Sequence, residues 1–270
     1  MELSVQSLAD LGNMTGRVAL ITGGAGHIGR AMAAALAEAG ADLCLVDRNG
    51  EALASARAEL HWAAGNVSTH QIDLEREDER EGLVAAVRES HGRIAVLVNN
   101  AGFVGDSQLG GWVTDFAGQS METWRRAMEV NLAAPFHLAQ LFAPMLEQNG
   151  RGVIINLASI YGLLGPDMRL YEGTKMGNPA AYAASKGGLV QLTRWLSTTL
   201  APRIRVNCIT PGGLERGQPE SFRSRYVERT PLGRMGREED FKGAVHFLAS
   251  DLSAWMTGQN IVVDGGWSAW

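Results

Sequence analysis

The chain has little of what would place it among disulfide scaffolds, metal proteins, nucleic-acid binders or membrane proteins. Its 270 residues hold two cysteines, Cys44 and Cys208, each in an apolar, strand-like segment and far apart. They read as small core residues rather than a disulfide or a thiolate site. The six histidines show no HxxxH or comparable ligand spacing, so no metal is expected. The formal net charge is −5 and no basic run offers a local exception, which argues against a nucleic-acid partner. No apolar stretch is long enough to span a membrane. The first residues, MELSVQSLADLGNMTG, lack a basic segment followed by an apolar one, so a cytoplasmic location is expected. No repeat, low-complexity tract or linker divides the chain, and one domain over residues 1–270 is expected. What is present is 46% hydrophobic and 20% charged residues, the balance of a globular protein with a substantial core.

The most informative stretch is AAYAASKGGLVQLTRWLSTTL, residues 180–200. Tyr182 and Lys186 stand four positions apart, which on a helix stacks them on one face. A phenol with a pKa near 10 is a poor acid or base at neutral pH, and a neighbouring ammonium favours its ionised form. The pair could therefore move a proton to or from an alcohol or ketone. A half-buried aromatic beside a solvated charge is the plain alternative.

Residues 17–22, RVALIT, form an apolar β-branched run that ends in GGAGHIG and an alanine-rich helical segment. Gly23, Gly26 and Gly29 let the backbone approach a phosphate at a helix N-terminus. ADLCLVD, residues 41–47, reads as a second buried strand. Asp47 stands near the offset at which an acid holds a ribose 2′-OH, with Arg48 next to it. A helix over 50–60 and a third strand ending near Ile72 leave Asp73 at a strand's C-terminal edge. Residues 75–92 pattern as an amphipathic helix, and RIAVLVNNAG, residues 93–102, as a fourth strand. Asn99 and Asn100 either bridge strands or face a ligand.

Residues 103–120 form a glycine-rich loop with Trp112 and Phe116, and 121–146 a long helix interrupted by Asn131. A buried asparagine there needs partners, structural or functional. A fifth strand over 151–159 ends in Ser159, and an irregular segment leads on to the helix of Tyr182. RIRVNCIT is a sixth strand before Pro211, Gly212 and Gly213; residues up to Gly236 form a cover, followed by a helix over 238–250 and a last strand, NIVVDGG. Strands alternating with helices predict an α/β fold, a doubly wound, mostly parallel seven-stranded Rossmann sheet with helices on both faces.

TGGAGHIG, NNAG at 99–102, Asn131, Ser159, YAASK at 182–186, PGG at 211–213 and TGQNIVVDGGW at 257–267 together resemble the short-chain dehydrogenase/reductase family, from about Gly16 onward. The resemblance implies a catalytic tetrad of Asn131, Ser159, Tyr182 and Lys186. Tyr182 would be the acid/base, Ser159 would bind the substrate oxygen, and Lys186 would lower the tyrosine pKa and hold the nicotinamide ribose. Asn131 would help hold a proton relay. The implied cofactor is NAD(P), with NAD preferred over NADP because of Asp47. Its expected cradle is Gly23, Gly26, His27, Ile28, Gly29, Asp47, Arg48, Asp73, Leu74, Asn100, Ala101 and Gly102, joined by Tyr182, Lys186, Pro211, Gly212 and Gly213. The implied reaction interconverts a secondary alcohol and a ketone.

Three departures stand out. His27 replaces the middle glycine usual in short members, so the turn reads GxxGxxG as in the extended branch with its nucleotide-sugar epimerases and dehydratases. Retained NAD in such an enzyme, or a catalytically silent NAD-binding sensor, are the alternatives. Ser159 and Tyr182 stand further apart than is usual, and no threonine follows PGG. The two insertions resemble reductases of polysaccharide and amino-sugar synthesis, suggesting a small, sugar-like substrate. Trp112, Tyr161, Tyr171 and Glu172 are its expected contacts, with Phe116 as a second stacking face. The family commonly forms homotetramers, and the tail GGWSAW is expected to pack at or near a subunit interface of a homotetramer or homodimer.

Overall fold

The computed structural model describes residues 6–105, 108–148 and 150–270. Seven strands run β1 Val18–Thr22, β2 Asp42–Asp47, β3 Val67–Gln71, β4 Val96–Asn99, β5 Gly152–Leu157, β6 Ile204–Pro211 and β7 Asn260–Val263. They form one sheet in the order β3-β2-β1-β4-β5-β6-β7. Every neighbouring pair is parallel, which bears out the doubly wound architecture expected from alternating strands and helices. β1, β4 and β5 are buried at every position, the mark of strands covered on both faces.

Alternate residues feed two cores, because successive side chains on a strand point to opposite faces. Ile21, Leu45 and Ile155 pack with α2 (His27–Glu38), α3 (Gly50–Glu59) and α9 (Lys242–Ala249). Leu20, Leu97 and Ile154 pack with α4 (Glu77–His91), α6 (Ala134–Gln148) and α7 (Ala180–Thr199). A short α1, Leu8–Gly12, precedes β1 and is held by a capping box from Ser7 and Asp10. No helix among the described residues is long and apolar enough to cross a membrane.

Between β1 and β4 the chain changes its direction of winding. Loops leaving these two strands diverge, and a crevice opens at their carboxyl ends. The fourth strand is shorter than its apolar run predicts: Asn99 ends the ladder opposite Asn156, and Asn100 leaves it. Asn99 Nδ2 donates to Asn156 Oδ1 at 2.8 Å, while Asn100 Nδ2 donates to the carbonyls of Thr22 and Gly23 at 2.9 and 3.0 Å.

The long helix expected over 121–146 is three pieces: α5 (Met121–Met128), a π turn over Glu129–Ala133, and α6. Such turns insert one extra residue and occur often at functional sites. Here the turn accompanies buried Asn131, whose side chain leaves the helix for the backbone of Phe103. The segment after β6 is not a loose cover. α8, Glu220–Glu228, sends Phe222 and Tyr226 into an aromatic pile with Tyr171 and Trp267, at ring separations of 5.4 to 5.9 Å.

Candidate active site

The crevice is a cleft of about 530 Å³, within the usual range for small-molecule sites. At one end lies the glycine turn. Gly23 has φ 62°, and a Cβ on Gly29 would stand 2.1 Å from the Gly23 carbonyl oxygen, so neither position tolerates a side chain easily. α2 begins immediately after, with Gly26 at its cap and no side chain on its free N–H groups. An uncapped helix start above a glycine cradle suits a pyrophosphate. Asp47 ends β2 on the cleft wall, where one carboxylate oxygen accepts from Asn49 N at 3.1 Å. Arg48 beside it is exposed. Ile28, His27, Asp73, Leu74, Ala101 and Gly102 also line the cleft, as does Asn100. The cradle residues therefore fit a dinucleotide.

Tyr182 and Lys186 line the other end of the same cleft. Both project from the first turns of α7, and the Lys186 ammonium stands 5.9 Å from the Tyr182 ring centroid. Lys186 Nζ donates to the Leu157 carbonyl at 2.7 Å. Burial pulls its pKa down to about 8, with Cys208 acting weakly in the other direction. Burial pushes the Tyr182 phenol above its ordinary value, while a hydrogen bond with Ser159 works against that rise.

Ser159 sits just past β5, and its Oγ accepts from Tyr161 N at 3.2 Å. Asn131 is fully buried. Its Oδ1 accepts from Phe103 N at 2.6 Å, and its Nδ2 donates to Ser185 Oγ at 3.0 Å. Ser185 in turn donates to the Tyr182 carbonyl at 2.9 Å. The four tetrad residues are thus gathered by three elements, although Asn131 and Ser159 do not line the cleft. Pro211, Gly212 and Gly213 stand outside its lining too, and Gly213 N donates to Tyr226 Oη at 2.6 Å.

The substrate contacts expected from sequence are placed differently. Trp112 is core: it meets Phe103 edge-on at 4.9 Å and its indole N–H donates to the Val104 carbonyl at 2.6 Å. Gly105, at φ 57°, makes room for that ring. Tyr161 and Tyr171 share a hydrogen bond of 2.7 Å, and Tyr171 is buried against Phe222. Glu172 is exposed, its carbonyl accepting from Arg225 at 2.7 Å. None of the four lines the cleft, and Phe116 is 88% exposed.

Sequence reasoning missed Arg126 and Glu75, which line the cleft and pair through two hydrogen bonds of 2.8 and 2.9 Å. It missed a second groove too, lined by Val113, residues 173–177 and Pro219, which meets the cleft at Val104 and Gly105. Glu77, Glu81 and His137 bring potential ligand atoms within 4.8 Å of one another, a grouping invisible to spacing because His137 comes from another helix. Both glutamates are exposed.

A Rossmann sheet with a glycine cradle, and a half-buried tyrosine beside a buried lysine on the helix across the cleft, defines a nucleotide-dependent oxidoreductase class. The chain belongs to the short-chain dehydrogenase/reductase family. Residues 23–268 match the family model described as enoyl-(acyl carrier protein) reductase. The chain is 35% identical over 260 residues to the 3-oxoacyl-[acyl-carrier-protein] reductase FabG of Thermotoga maritima, covering 94% of this chain and 98% of that protein. A short-chain dehydrogenase from Leptospira borgpetersenii, solved with bound NAD+, superimposes with a TM-score of 0.83 at 30% identity, covering 99% of this chain and 98% of that one. A Beutenbergia cavernae protein assigned as an NAD(P)-dependent gluconate 5-dehydrogenase, solved with NADP at low occupancy, gives 0.85 at 30% identity, covering 96% and 100%.

Proposed function

We propose that the protein is an NAD(P)-dependent oxidoreductase that interconverts a secondary alcohol and a ketone, with Tyr182 as the proton donor and acceptor. The observation that carries this is the placement of Tyr182 and Lys186 in one cleft with the glycine turn. A bound nicotinamide supplies or takes the hydride. Tyr182 gives its proton to the carbonyl oxygen in reduction and takes it from the hydroxyl in oxidation. Ser159 binds the same oxygen. Lys186 offers a cation to the ribose hydroxyls, and Asn131 holds the start of α7 through Ser185. Gly23, Gly26, His27, Ile28 and Gly29 hold the pyrophosphate; Asp73, Leu74, Asn100, Ala101 and Gly102 form the adjoining walls.

NAD is the preferred form in this reading. Asp47 offers its carboxylate to the ribose hydroxyls and repels a 2′-phosphate, while Gly26 leaves the turn without a cation. Competitive binding in which NADP equals NAD would refute the preference; Arg48 is the residue that would then be responsible.

A polar, polyhydroxylated substrate is proposed from the groove beside the cleft, where Lys175 presents a polar group. Much of the insertion is self-satisfied: Asp167 pairs with Arg169 and Arg229, and Thr174 Oγ1 donates to the Tyr171 carbonyl. The test is a panel of polyols, aldoses, amino sugars, nucleotide sugars and simple alcohols with NAD, read at the absorbance of NADH. Stoichiometric NADH formation supports the dehydrogenase. Turnover of a nucleotide sugar without net NADH would support the epimerase reading, which rests on the GxxGxxG spacing.

A further inference from the structure

Arg80 is a buried charge that the proposed reaction does not use. It is 3% exposed and shares the inward stripe of α4 with Leu83 and Val87. An aliphatic side chain would continue that stripe, whereas a guanidinium there is unfavourable unless it is paired and hydrogen-bonded. All three of its recorded partners lie on other segments. Nη1 donates to the Leu74 carbonyl at 2.7 Å and to Glu129 Oε1 at 2.5 Å. Nε donates to His137 Nδ1 at 3.2 Å, which requires that ring's proton on Nε2.

The two ends of this bridge are both parts of the site. Leu74 lines the cleft beyond β3. Glu129 opens the π turn, and Asn131 follows two residues later. From Asn131 the hydrogen bonds continue to both backbone groups of Phe103, itself on the cleft wall, and to Ser185 on the helix of Tyr182. Arginine's planar fork holds two acceptors at a set separation better than a flexible ammonium does.

We propose that Arg80 is a positioning residue that holds the cleft wall at Leu74 and the π turn of Asn131 at a fixed separation, so that a nucleotide seated against Leu74 also orders the catalytic end. This rests on reading the cleft as a dinucleotide site. Occupation of one wall restrains Leu74, the guanidinium transmits that restraint to Glu129, and the π turn loses freedom to open.

The experiment measures amide hydrogen exchange across residues 129–133 with and without saturating ADP, which carries the adenosine and pyrophosphate but no reacting ring. ADP is expected to slow exchange there by roughly threefold or more in the parent protein. In Arg80→Met/Glu129→Leu, which leaves neither charge unpartnered, ADP should bind and leave exchange in the π turn unchanged. Should that variant not fold, Arg80→Met alone is the substitute, since the Glu129 side chain is 36% exposed and its carboxylate can turn to water. Equal slowing in the variant, or none in ADP-saturated parent, overturns the proposal while leaving the cofactor reading intact. Failure of the parent to bind either ADP or NAD in calorimetry overturns the cofactor reading, and the role of Arg80 with it.

Discussion

Tyr182 sits where two influences on a phenol compete. Burial disfavours the phenolate, and the Ser159 hydroxyl favours it. If its hydroxyl carries the proton, Tyr182→Phe should lower turnover by at least about a hundredfold, the lower end of acid–base contributions. NAD affinity should stay close to the parent's, because the ring remains. Near-normal turnover in a folded Phe variant would remove the mechanism. The glycine turn makes a different kind of demand. A methyl group on residue 29 would collide with the Gly23 carbonyl, which is backbone and cannot swing away. Gly29→Ala should therefore destabilise the fold by about 1–3 kcal/mol, as overpacking does. It should also weaken NAD binding, since relief requires the turn to open. Denaturant midpoints and calorimetry together check this; unchanged values for both would contradict the cradle.

At the scale of elements, β3 and α4 are pinned by a polar staple at the sheet edge. Ser68 Oγ meets His70 Nε2 at 3.1 Å and His91 Nε2 at 2.7 Å. Burial lowers both histidine pKa values, and His91 lowers that of His70 further. The native state therefore takes up these protons less readily than the unfolded chain does. Stability contributed here is complete above the ordinary value of 6.5 and is lost as pH falls below it toward the folded values. Urea midpoints should decline from pH 7 to 5, and His91→Gln should flatten that decline; an unchanged slope would exclude the staple as its source. The elements themselves were largely legible in sequence. Each strand except the polar edge strand β3 is an apolar run bounded by turn residues, and the tetrad motifs fall at the end of β5, in the π turn and on α7. What could not be read was whatever depends on two distant segments. Arg80 with Glu129, and Arg126 with Glu75, join positions with no local pattern between them. The π turn left only a faint trace, one asparagine in an apolar stretch. Trp112 was misassigned because a tryptophan in a glycine-rich loop looks free, whereas Gly105 lets the loop fold back over it.

For the whole molecule, aromatic surface is unevenly distributed. Trp255 is fully exposed and Trp270 is 81% exposed, while Trp267 is buried within its own chain. The expectation of a tail packed at or near an interface thus divides between a tryptophan packed internally and one facing outward. Trp195 adds exposed indole on α7, edge-on to Phe136 at 6.4 Å. Patches of this kind favour self-association. Sedimentation at micromolar concentration should show a homodimer or homotetramer, and Trp270→Ser should shift the population toward smaller species. A monomer at that concentration would contradict the assembly. The two insertions carry a further consequence. Both leave the sheet after strand C-termini, β4 and β5, and touch each other where Gly177 approaches Val113. The residues proposed to handle the proton stand instead on α7, the π turn and the end of β5. On the proposed reading, selectivity can therefore drift by exchange of residues 103–120 and 160–179 as a matched pair without disturbing the chemistry, whereas transplanting one alone should break the seam at Gly177 and Val113.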